Sequence, residues 1–169
     1  IYLDLRLLPS DPPALSRAAA AYTDRLRGLR FDRLAAIPYA ALPIGTAVAL
    51  QTGWPLIYPR KEVKDHGRRR AIEGHFTPGE RAVVLDDLIT TGGSKVEAVQ
   101  ALREAGLVVE DVVVLIDRQA AGATEDLAAH GLRLHAVLTL LEIVAVLAAR
   151  GAIAETERAM VERYLERQT

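Results

Sequence analysis

Two short runs constrain this chain more than anything else in it: Ala82-Val83-Val84-Leu85 and Val112-Val113-Val114-Leu115-Ile116. Each is apolar without a break and rich in branched side chains. A strand with one face in water alternates apolar with polar residues. Unbroken runs of this kind belong instead to strands buried on both faces, as in a parallel sheet covered by helices. Between them, residues 94–105 carry a helical pattern that stops at Gly106, as helices commonly do at glycine. A third run, residues 132–138, follows a helical stretch at about 124–130 that ends at Gly131. Strand–helix alternation with short connections predicts an α/β fold, an open and mostly parallel sheet flanked by helices, with right-handed crossovers.

The rest of the pattern fits that frame. Residues 1–7 alternate as a half-exposed strand, and Pro12-Pro13 opens a helix running to about Gly28. Residues 34–37 form a short apolar run, 44–51 a helix closed by Gly53, and 55–58 a further strand. Helices over 139–150 and 154–168 complete the chain, the last with Val161, Tyr164 and Leu165 on a docking face. A length of 169 residues fits one domain, 1–169. Ligands of such sheets sit beyond the carboxyl ends of the strands. The loops after Ile37, Tyr58, Leu85 and Ile116 are therefore the places to search.

Composition excludes several classes. With 21 Lys and Arg against 22 Asp and Glu the formal net charge is −1, so no basic field exists for bulk nucleic-acid binding. Cysteine is absent, which excludes disulfide scaffolds, thiolate metal sites and a cysteine nucleophile, and suits a reducing cytoplasm. No uninterrupted apolar run is long enough to predict a membrane-spanning helix. The first residue is Ile1 in a strand-like pattern, and the expectation is that the natural beginning is missing.

The chemistry concentrates in Val83-Val84-Leu85-Asp86-Asp87-Leu88-Ile89-Thr90-Thr91-Gly92-Gly93-Ser94. An apolar strand delivers two carboxylates, and a loop of Thr, Gly and Ser then opens a helix. Glycines permit positive φ and close backbone approach, and amides at a helix start bind a phosphate dianion. Two carboxylates beside it suit sugar hydroxyls, or the water shell of a Mg²⁺. A structural reading competes, because Ser94-x-x-Glu97 is also a capping box. No Gly-x-x-x-x-Gly-Lys-Ser/Thr or Gly-x-Gly-x-x-Gly is present.

A second segment, Arg60-Lys61-Glu62-Val63-Lys64-Asp65-His66-Gly67-Arg68-Arg69-Arg70, concentrates positive charge within a long irregular stretch over residues 60–79. A charge run is ordinarily a solvated loop. A long structureless loop in a compact domain is more often a lid or a binding loop, and one carrying Arg, Lys and His suits a polyanion such as pyrophosphate.

Together these segments resemble the type I phosphoribosyltransferases. Val83 to Ser94 is similar to their motif for phosphoribosyl pyrophosphate (PRPP). Arg60-Lys61-Glu62-x-Lys64-x-His66-Gly67 is similar to the catalytic loop of the orotate phosphoribosyltransferases, as are Ile1-Tyr2-Leu3-Asp4-Leu5-Arg6 and Pro38-Tyr39-x-Ala41-Leu42-Pro43. The likeness to that family, including the form fused in UMP synthase, runs to about Arg150.

The resemblance implies orotate and PRPP as substrates, Mg²⁺ carried through PRPP and water, and a homodimer with shared active sites. It implies catalytic roles for Lys64, Asp86 and Asp87. The PRPP-binding set would be Tyr39, Ala40, Arg60, Lys61, Lys64, His66, Asp86, Asp87, Leu88, Ile89, Thr90, Thr91, Gly92, Gly93 and Ser94. Orotate would meet Thr90, Arg118, Tyr2 and Leu3. Where some members carry a lysine after the tyrosine this chain has Ala40. A hood segment with a substrate-binding lysine, expected ahead of Ile1, is not in this sequence, so the small hood is incomplete. A phosphoribosyltransferase for another base, or a PRPP-binding regulator of the same fold, is the alternative.

Other residues are expected to do no chemistry. His135 alternates with apolar neighbours and reads as structural, His130 sits at a helix end, and Trp54 packs at a strand start. Four scattered His argue against a zinc site.

Overall fold

The computed structural model describes residues 3–60 and 71–166. Helices α1 (Pro12–Leu26), α2 (Ala41–Thr52), α3 (Gly93–Glu104) and α4 (Ala123–Ala129) alternate with strands β1 (Arg33–Ala36), β2 (Leu56–Pro59), β3 (Ile72–Glu73), β4 (Arg81–Ile89), β5 (Val108–Asp117) and β6 (Arg133–Thr139). Helices α5 (Leu140–Ala149) and α6 (Glu155–Glu166) follow. The strands form one sheet in the order β3-β2-β1-β4-β5-β6, parallel throughout except for the β2–β3 pair.

The unbroken apolar runs are buried on both faces, as predicted. Val84, Val112 and Val114 pack against Val99 and Leu102 of α3 and Leu127 of α4. Their neighbours Val83, Leu85, Val113 and Leu115 face the other way, onto Tyr22 and Leu26 of α1 and Ile44 and Val48 of α2. At Gly45 the helix comes so close to the sheet that an added Cβ would lie 2.9 Å from the Cβ of Ala36. Helix α1 starts where Pro12-Pro13 predicts, with the Asp11 side chain accepting from the Ala14 amide at 3.0 Å.

Several expectations are corrected. The expected strand over 1–7 is not seen among its described residues: Leu5–Ser10 is a 3-10 helix, opened by the Asp4 side chain accepting from the Arg6 amide. The irregular stretch 60–79 contains β3, where Ile72 is buried and Arg60 pairs with Glu73 at 2.9 Å. A two-residue strand is too short to leave a periodic signal. On α6, Val161 and Leu165 dock onto Leu140 and Val144 of α5, but Tyr164 remains exposed.

Strand order places the site. β1 lies between β2 and β4, so successive crossovers leave it in opposite directions, and a crevice opens at the carboxyl ends of β1 and β4. β1 pairs with β4 only as far as Ala36 opposite Leu85, and the Ile37 amide closes on the Leu85 carbonyl at 2.9 Å. β4 runs on through Ile89, its strand pairing from there made with β5.

Candidate functional site

That overhang explains how two carboxylates sit within a strand and still face a cavity. Asp86 and Asp87 are not beyond the strand end, as the apolar run suggested, but inside β4. Asp86 pairs across from Val114, and the β1 side is open. A cavity of about 430 Å³ occupies the space. The expected residues Leu3, Tyr39, Ala40, Asp86, Asp87, Leu88, Thr90, Ser94 and Arg118 all line it. The structure therefore gathers residues from the N-terminal segment, the β1–α2 loop, β4, the start of α3 and the end of β5.

Not every expected residue is there. Ile89, the last residue of β4, keeps its side chain in the core and does not line this cavity. Arg60 lines an adjoining cavity of about 340 Å³ together with Pro38 and Ser94. Tyr2, Lys61, Lys64 and His66 lie outside the described residues.

The loop before α3 works differently from the glycine argument. Neither Gly92 nor Gly93 has positive φ, and Gly92 is the helix N-cap at φ −73°. Gly92 is favoured instead by proximity, since an added Cβ would stand 3.1 Å from the Cβ of Asp126 on α4. At Gly93 an added Cβ would meet nothing within 4 Å. The Ser94–Glu97 capping box does not form, and α3 begins without any side-chain cap. A capping box does form at the start of α5, between the N-cap Thr139 and Glu142. The Lys95 amide already donates to the Gly92 carbonyl at 3.0 Å, which leaves the amides of Gly93 and Ser94 without an intrahelical acceptor, and beside a cavity they suit an anion.

The carboxylates are unequal. Asp86 is 7% exposed. Its Oδ1 accepts the Asp87 amide at 2.9 Å, and its Oδ2 lies 2.7 Å from the Lys95 ammonium. Burial pushes its carboxyl up to about 6, with Lys95 opposing the rise and Asp87 adding to it. The Tyr22 hydroxyl donates to the Asp86 carbonyl from α1, and burial followed by the charges of Asp86 and Asp87 raises that phenol well above its ordinary range. Asp87 is only part-buried, and its Oδ1 accepts the Leu88 amide at 2.9 Å. At the cavity's other wall Asp4 receives the Arg6 guanidinium through two bonds, at 2.8 and 2.9 Å, and this holds the Asp4 carboxyl below the usual range.

Sequence reasoning missed Lys95, Asp4 and Arg6, all of which line the cavity. Lys95 left no signal, because a lysine in a helical stretch is normally a solvated residue. Asp4 and Arg6 were absorbed into an alternating pattern. Outside the site, His135 takes the structural place expected of it, 2.8 Å from buried Asp111, and Trp54 packs edge-on against Phe31. Among the described residues no helix is long and apolar enough to cross a membrane.

No family model matches the chain. It is 47% identical over 152 residues to the bifunctional enzyme PyrF/PyrE of Nostoc sp., covering 90% of this chain and 32% of that protein. The structure of Leishmania donovani UMP synthase superposes with a TM-score of 0.91 at 41% identity, over 98% of this chain and 36% of that one. The chain thus spans about a third of the length of these two relatives. With the orotate phosphoribosyltransferase of Natronomonas pharaonis it shares 40% identity over 144 residues, covering 85% of this chain and 81% of that protein. A likeness of that depth over four fifths of the relative, on a mostly parallel six-stranded sheet with a carboxylate pair and an uncapped helix at its switch point, shows that the chain belongs to the orotate phosphoribosyltransferase family.

Proposed function

We propose that this chain transfers the 5-phosphoribosyl group of PRPP to orotate, giving orotidine 5′-monophosphate and pyrophosphate, a step of pyrimidine nucleotide synthesis. One observation carries the reading. A single cavity at the sheet's switch point gathers two carboxylates, an uncapped helix start and Arg118. Those are the complements of a sugar diol, a phosphate and an anionic base.

In this reading the amides at the start of α3, with Thr90 and Ser94, hold the 5′-phosphate, and the carboxylates of β4 receive the ribose hydroxyls. Arg118 pairs with the orotate carboxylate, a charge-assisted contact that a purine cannot make, and Leu3 packs along the base. Tyr39, Ala40 and Arg60 face the pyrophosphate, joined by Lys61, Lys64 and His66 on the grounds of the family likeness. With both reactants fixed, most of the rate gain comes from orientation and from stabilising charge on the departing pyrophosphate.

Mg²⁺ belongs to this reading as an ion carried on PRPP oxygens and water, where it would neutralise charge on the pyrophosphate. Among the described residues no group of three or more His, Asp or Glu stands close enough to hold a metal, and no side chain is assigned as its ligand. A homodimer with shared sites and a cytoplasmic setting complete the proposal, the first on the family likeness and the second on the cysteine-free composition.

Arg118→Ala separates base recognition from sugar binding. It is expected to lower kcat/KM for orotate by at least about a hundredfold, the loss of a charged hydrogen-bond pair, with PRPP affinity within about threefold of the parent. Unchanged orotate kinetics would contradict the assignment.

A further inference from the structure

The Lys95 ammonium is 2.7 Å from the Asp86 carboxylate and 3.4 Å from the Ser94 hydroxyl. It sits in the first turn of α3 and is 5% exposed. A lysine there is unfavourable on two counts, burial of a charge and a cation at the positive end of a helix. Its partner Asp86 compensates it. The contact joins the two halves of the proposed PRPP site, the sugar carboxylates of β4 and the phosphate cradle of α3. It also occupies one oxygen of Asp86 while the Asp87 amide occupies the other. Each carboxylate oxygen keeps a second acceptor position, so Asp86 and the part-buried Asp87 can both still accept a hydroxyl.

We infer that Lys95 is a positioning residue for PRPP: its contact turns Asp86 toward α3, which sets the spacing between sugar and phosphate subsites and presents Asp86 together with Asp87 to the ribose hydroxyls. This rests on the proposed reading of the cavity as a PRPP site. The separation of 5′-phosphate and ribose hydroxyls is fixed by the covalent geometry of PRPP, so a preset spacing contributes affinity by pre-organisation.

Several charged or titratable groups bear on Asp86. Asp87 adjoins it on β4 and Lys95 meets it from α3, while Tyr22 approaches from α1. Arg118, Tyr39, Asp4 and Arg6 line the same cavity. Among these Lys95 is the cation in contact with its carboxylate. Without it burial acts unopposed, and each unit by which the carboxyl rises above the assay pH cuts the ionised fraction about tenfold.

The test is PRPP affinity, measured by calorimetry without a base from pH 6 to 9, on the parent chain, Lys95→Met and Lys95→Arg. Lys95→Met is expected to bind PRPP at least about tenfold more weakly at pH 7 and to regain most of the loss by pH 9, as Asp86 ionises without help. The PRPP 5′-phosphate titrates alike for all three, so the difference between profiles is the readout. Recovery in one sample shows that the fold is intact. Lys95→Arg restores the neutral-pH affinity at least in part. Affinity within twofold of the parent at pH 7, or a loss of equal size at every pH, overturns the inference. A parent chain that binds no PRPP instead overturns the reading beneath it.

Discussion

Gly92 and Gly93 are adjacent and separable. Gly92→Ala pushes a Cβ onto α4 and is expected to cost about 1 kcal/mol in denaturant unfolding, as mild overpacking does. Gly93→Ala meets open space, so its stability should stay within about 0.5 kcal/mol of the parent. Its PRPP affinity should nonetheless fall about tenfold if phosphate approaches that backbone. Unchanged affinity for Gly93→Ala would remove the close-approach argument. The sequence showed the carboxylates, Thr90, Ser94 and Arg118 because each stands at a strand end, a helix start or a family motif. It hid Lys95, whose burial depends on a partner nine positions away on another element. It also gave the wrong reason for Gly92, where the constraint is a neighbour on α4 and not a backbone angle.

Among elements, the β4 overhang determines the site. Beyond Leu85 the strand has β5 on one side and the cavity on the other, and Tyr22 fastens it to α1 through the Asp86 carbonyl. Tyr22→Phe removes that donor inside the core and is expected to lower stability by about 1–2 kcal/mol, the cost of an unsatisfied buried acceptor. Unfolding in urea checks it, and an unchanged midpoint would mean that α1 does not restrain the overhang. Helices and the longer strands were legible from periodicity, for example α1 from its paired prolines and the face that buries Ala19, Tyr22 and Leu26. The overhang was not, since Asp86-Asp87 interrupts the apolar run and the missing neighbour is a matter of tertiary pairing. Ile72-Glu73 escaped because two residues show no period, and the 3-10 helix Leu5–Ser10 because the alternation of residues 1–7 mimics a strand.

Across the whole molecule, charge is organised at both ends of the sheet. Opposite the cavity, buried Asp111 takes the Arg133 guanidinium through two bonds, each of 2.8 Å, with His135 on the same carboxylate. These partners, Arg133 first, hold the Asp111 carboxyl below its ordinary value of 3.8. A depressed folded pKa means that the unfolded chain binds the proton more readily, so this stabilisation is present at neutral pH and is lost as pH falls below about 4. Asp111→Asn should therefore lower stability by about 1–2 kcal/mol at pH 7 and by much less near pH 3. A deficit of equal size at both pH values would contradict that role. At the cavity end the sign reverses: Asp86, raised to about 6, favours the folded state in its protonated form and loses that contribution as pH rises from about 4 to 6.

The most direct test of the account is orotate consumption, followed by absorbance with PRPP and Mg²⁺, alongside adenine, guanine and hypoxanthine. The account predicts that orotate disappears with an equal release of pyrophosphate, and that the purines are left untouched. Consumption of a purine in place of orotate, or PRPP bound with no base consumed, would contradict it.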